Sequence, residues 1–97
     1  MSKFDQAKML MKVKKIQGEL QKMTIAIDKG DGAVQVEING EQKIKKIRID
    51  PEYVDLEDIG QLEGWIEDAV KEAINKSQSY AAEKMQPVMG ALGDLGL

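Results

Sequence analysis

The chain has 97 residues, the size of one small domain, and only four aromatic side chains, Phe4, Tyr53, Trp65 and Tyr80. So thin a core buries a low fraction of its surface, which makes self-association an expectation from size alone. There is no cysteine and no histidine, which excludes disulfides, thiolate chemistry, the usual proton shuttle and the commonest metal ligand. An enzyme, a cofactor and a metal site are therefore not expected. The net charge of -3 is unevenly spread: residues 1–48 carry eleven Lys/Arg against six Asp/Glu, a net of +5, and residues 49–97 carry three against eleven, a net of -8. That split suggests a basic functional surface beside an acidic one. The N-terminus has no signal-peptide pattern, and no stretch approaches the roughly 18–20 apolar residues of a membrane span. The expectation is a soluble, intracellular protein.

Residues 3–26 read as one amphipathic helix. Met9, Val13, Ile16, Leu20, Met23 and Ile27 recur at spacings of four and three, the stripe of a helix–helix seam. Lys8, Lys12, Lys15 and Lys22 form a second stripe beside it, interrupted by Glu19, with Lys3 and Lys14 on neighbouring faces. A rigid rod with one basic edge can lie along a phosphate backbone and gain affinity by releasing counterions. The same lysines would equally serve as a solvated face.

A turn follows at Gly30-Asp31-Gly32, and residues 24–29 can also be read as a first strand. Val34, Val36 and Ile38 alternate with Gln35, Glu37 and Asn39, the period of a half-buried strand. Asn39-Gly40 signals a hairpin turn in which both residues tolerate positive φ. The next strand runs from about Gln42 to Ile49, with Ile47 and Ile49 inward and Lys46 and Arg48 outward. Ile44 falls out of phase, which implies either a bulge or a two-sided strand. Alternation splits Lys43, Lys45, Lys46 and Arg48 between two faces, so this cluster reads as edge protection rather than one patch.

Asp50-Pro51 ends the sheet, since proline donates no N–H. Asp55 and Asp58 resemble a helix N-cap. Ile59, Leu62, Ile66, Ala69, Val70, Ala73, Ile74, Ser77, Ala81 and Met85 then mark a second long helix, with Pro87 as its expected end. The acidic residues of this half lack the spacing of a calcium loop and read as solvated surface. The organisation is a single domain over residues 1–89 and a flexible Gly/Leu-rich tail over 90–97. The fold class is α+β, ordered α-β-β-β-α, with a small antiparallel sheet between long N- and C-terminal helices. Lysine in place of arginine favours phosphate contact over base readout, hence low sequence specificity.

Taken together, the chain resembles the YbaB/EbfC family of nucleoid-associated DNA-binding proteins. The resemblance rests on the Lys/Met/Gln-rich first helix, Gly30-Asp31-Gly32, Val34-Gln35-Val36-Glu37-Ile38-Asn39-Gly40, Ile47-Arg48-Ile49-Asp50-Pro51, Ala69-Val70, Glu83-Lys84-Met85 and the Gly/Leu-rich tail. Lys71 departs from it, since the family often has Asn after the Ala-Val pair. The resemblance implies a homodimer joined through its sheet region with helices projecting like tweezers. It implies binding of double-stranded DNA by those helices, nucleoid organisation with effects on gene expression, and a cytoplasmic, nucleoid location. Carried onto this chain, the DNA-contacting candidates are Lys3, Lys8, Lys12, Lys14, Lys15 and Lys22, with Lys76 and Lys84 on the second helix. No membrane and no small-molecule substrate are implied. The alternative is a protein-interaction scaffold that docks through the Met-rich first helix.

Overall fold

The computed structural model describes residues 3–94. Helix α1 (Lys3–Lys22) leads into strands β1 (Ile25–Lys29), β2 (Val34–Ile38) and β3 (Ile44–Ile49), a single 3-10 turn at Pro51–Tyr53, and helix α2 (Ile59–Asp94). The strands form one antiparallel sheet in the order β1-β2-β3. The α+β, α-β-β-β-α reading of the sequence is what the structure shows.

Helix α1 stops four residues short of the expected end at 26, and Ile27, assigned from its spacing to the helical stripe, is a buried residue of β1. Thr24, Ile25 and Ile27 are β-branched and fit a pleated strand better than a helix. The last helical carbonyls also find partners elsewhere. Gly40 donates its N–H to the Leu20 carbonyl (2.7 Å), and Asn39 Nδ2 donates to that of Gln21 (3.4 Å).

The core lies between one face of the sheet and the first half of α2. Ile27, Val34, Val36 and Ile38 pack with Ala69 and Ala73, and Leu62, Trp65, Ile66, Val70 and Ile74 surround them. The two alanines let the helix approach the sheet closely. Trp65 lies on the turn at Gly30, where an added Cβ would stand 2.6 Å from the indole, so its contact is within the subunit. The cap of α2 is Asp58, which accepts from Gln61 N (3.3 Å); Asp55 instead closes a turn with Glu57 N (2.9 Å).

The out-of-phase Ile44 is resolved by a bulge. Val34, Val36 and Ile38 stand opposite Ile49, Ile47 and Ile44, with the register shift between Glu37 and Ile38. All three isoleucines of β3 therefore share the core-side face. Ile47 and Ile49 were expected to point inward, yet all three remain 42–45 % exposed, because α2 covers only β1 and β2 among the described residues.

Past Ser77, α2 leaves the sheet and runs back along α1. The result is 65 Å long, with a radius of gyration of 18.6 Å, well above the roughly 13 Å of a compact domain of this length. Pro87 does not end the helix, which continues to Asp94. The proline removes one hydrogen bond, but the next residue, Val88, is buried, and that burial favours continuation. Of the expected tail, residues 90–94 are helical and 95–97 lie outside the described residues.

The hairpin is not a two-residue Asn-Gly turn. Its one positive φ is at Gln42 (62°), while Gly40 serves a different need. A Cβ there would stand 2.6 Å from Leu20 Cδ2 and 3.0 Å from its Cα. Gly40→Ala is expected to cost about 1–3 kcal/mol through overpacking against that backbone. A urea titration of the two proteins measures it, and an unchanged midpoint would show that the contact is not tight.

Candidate nucleic-acid interface

Each candidate lysine of α1 (Lys3, Lys8, Lys12, Lys14, Lys15 and Lys22) is solvent-exposed. The neighbouring stripe of the helix carries its half-buried residues Met9, Val13 and Ile16 and the buried Leu20. The seam toward α2 thus fixes which way the lysines face. Lys8 Nζ lies 4.8 Å from the centre of the exposed Phe4 ring, a cation–π contact at the outer end of the arm.

The chain's ion pairs lie elsewhere. Among the described residues they are Lys29–Glu72 (2.9 Å), Lys71–Glu67 (2.6 Å) and Lys84–Glu19 (3.2 Å). None involves an α1 lysine, so α1 presents cations without carboxylate partners among the described residues. Lys76 is exposed on α2 and likewise forms no ion pair there. Lys84 stands apart from the other candidates. It is held by Glu19, the acid that interrupts the lysine stripe, and this bond ties the two helices of the arm together. Sequence reading missed the pairing because 65 residues separate the partners.

Nine of the eleven acidic residues of the second half lie on the sheet-packed part of α2 or in the segment before it, and Glu83 and Asp94 lie beyond Ser77. Lys29 on β1 bonds Glu72 on α2 and clamps helix to sheet. Its hydrogen bond and charge hold the Glu72 carboxyl below the ordinary glutamate range, and Glu72 in turn raises Lys29. Lys71 lowers Glu67 by the same two causes within one helical turn. Among the described residues no group of His, Cys, Asp or Glu could hold a metal ion, and no helix is long and apolar enough to cross a membrane.

The family model described as the YbaB/EbfC DNA-binding family matches residues 1–92. A nucleoid-associated protein of Ruminiclostridium cellulolyticum is 38% identical over 88 residues, covering 91% of this chain and 76% of the relative. One from Chloroflexus aurantiacus is 36% identical over 87 residues, covering 90% and 87%. One from Syntrophobacter fumaroxidans is 38% identical over 86 residues, covering 89% and 78%.

The Lys29–Glu72 clamp gives a pH prediction. A carboxylate whose pKa is lowered on folding adds stability above its unfolded value, here 4.5, and loses it as pH falls through the depressed folded value. The wild type should therefore lose more stability than Lys29→Met between pH 6 and pH 3. Urea midpoints at both pH values check this, and equal losses would show that the pair contributes nothing.

Proposed function

Because the chain belongs to the YbaB/EbfC DNA-binding family, we propose that it binds double-stranded DNA along α1, through phosphate contacts and with low sequence specificity. The observation that carries this reading is the row of exposed α1 lysines without ion-pair partners among the described residues, on a chain whose net charge is negative. Lys8, Lys12 and Lys15 are the central contacts. Lys3, Lys14 and Lys22 extend them, and Lys76 joins from α2. Lys84 contributes least, because Glu19 already occupies it. In this reading one binding domain over residues 1–89 acts in the cytoplasm at the nucleoid, on DNA organisation and gene expression; the relatives' names, nucleoid-associated protein, support the nucleoid location. The reading is of a binding protein, not an enzyme.

A labelled duplex followed by fluorescence anisotropy over a salt series tests it. Wild type should bind with affinity that falls steeply with salt, by about 0.9 in log–log slope for each phosphate neutralised. Lys8→Glu, Lys12→Glu, Lys15→Glu should lose binding while remaining folded. Absence of binding by the wild type would favour the scaffold reading, in which α1 docks on a protein.

The protein also acts as a homodimer in this reading, joined through β3. That strand is at the edge of the sheet, and Ile44, Ile47 and Ile49 line one of its faces at 42–45 % exposure. A free strand edge beside exposed isoleucines is a natural site for a second copy. Ile47→Lys should shift sedimentation equilibrium from dimer to monomer; an unchanged dimer mass would move the interface elsewhere.

A further inference from the structure

Outside α1, the cations without ion pairs among the described residues are Lys76 on α2 and a group of four at one other place. The four are Lys43, Lys45, Lys46 and Arg48, on or beside β3. Simple alternation puts Lys46 and Arg48 on one face and Lys43 and Lys45 on the other, and the bulge falls at Lys45. Glu37 stands opposite Lys46 and Gln35 opposite Arg48, so Lys46 and Arg48 lie on the face away from α2. Lys45, the residue the bulge inserts, reaches across the end of β2, where its Nζ donates to Thr24 Oγ1 at 3.1 Å. Thr24 is two residues beyond Lys22, the last residue of α1.

We propose that Lys45, Lys46 and Arg48 form a second phosphate-contacting surface that carries the basic track of α1 onto the open face of the sheet. This rests on the reading of α1 as a phosphate-contacting arm. Helix α1 is about 30 Å long at 1.5 Å per residue, and Lys45 to Arg48 adds about 10 Å of strand. The sheet itself screens this face from the acidic side chains of α2, which packs on the other side. Two carboxylates share the open face. Glu37 lies beside Lys46, and Asp28 lies two strands from Arg48, so positive potential concentrates at the free edge. None of the three strands contains an aromatic residue, which suits a phosphate backbone rather than stacked single-strand bases. In a dimer joined through β3 the two rows adjoin, and a polyanion would also offset the repulsion between them.

The test compares wild type with Lys45→Gln, Lys46→Gln, Arg48→Gln on a labelled random-sequence duplex of 30 base pairs, over a salt series. The variant should bind more weakly, with a log–log salt slope shallower by about 0.9 for each phosphate that it no longer neutralises. Because β3 is also the proposed subunit edge, a second measurement uses the wild type alone. Lysine acetylation is read by mass spectrometry with and without duplex. Lys45 and Lys46 should become protected together with Lys8, Lys12 and Lys15, while Lys71 stays reactive. Protection confined to α1, with an unchanged slope in the variant, would overturn this surface and leave the α1 reading standing. If the duplex protects no lysine and the wild type shows no binding, the α1 reading fails and this inference fails with it.

Discussion

The fold turns on one buried hydroxyl. Ser77 sits where α2 parts from the sheet, and its Oγ donates to the Asn39 carbonyl at 2.6 Å while accepting from Gln42 N and Nε2 at 3.1 and 3.0 Å. Asn39 in turn accepts from Glu41 N and Lys43 N through its side chain and donates toward the end of α1. Three chain segments, namely the end of α1, the β2–β3 loop and the middle of α2, meet in this one knot. Losing a buried partner in such a network typically costs about 1–3 kcal/mol, since the remaining groups cannot regain water. The direction in which the two-helix arm leaves the sheet is set here.

This placement explains how an acidic protein presents a basic surface. Burial at the knot and along the seam orients α1, so its lysines face solvent and form no ion pair with the described carboxylates. The three ion pairs are exposed and individually weak contributors to stability. Their more telling effect is on which cations remain available. Lys29, Lys71 and Lys84 are neutralised locally, which leaves the charge without ion pairs among the described residues on α1, on and beside β3, and at Lys76. Net charge alone conceals this, because it averages over positions that the fold keeps apart.

Much of this was legible in the sequence. Periodicity gave the element order, and the lysine stripe of α1 needed only a helical wheel. What was not legible depended on contacts distant in sequence. The end of α1 is decided by Gly40 and Asn39 bonding its last carbonyls, so periodicity alone carried the helix into Ile27. Gly40 looked like a turn glycine, but its requirement is close approach to Leu20, which no local pattern records. Pro87 read as a terminator because local propensity disfavours it, yet burial of Val88 beyond it decides the outcome. Lys84 looked like any exposed lysine until Glu19 was placed beside it.

The bulge in β3 has the largest consequence for a single inserted residue. A regular strand with the sequence Ile-Lys-Lys-Ile-Arg-Ile would scatter both its isoleucines and its cations over two faces. Adding one residue opposite the Glu37–Ile38 step brings Ile44 into phase with Ile47 and Ile49 on one side, while Lys46 and Arg48 lie on the other. Bulges are tolerated at sheet edges because one rim of the ladder has no partner to disrupt. Here the edge strand becomes two-sided in chemistry: apolar toward the face where a second subunit could bury it, cationic toward the open face. Neither property is strong at the level of a single residue. Their segregation gives one short strand an association face and an electrostatic face that do not interfere.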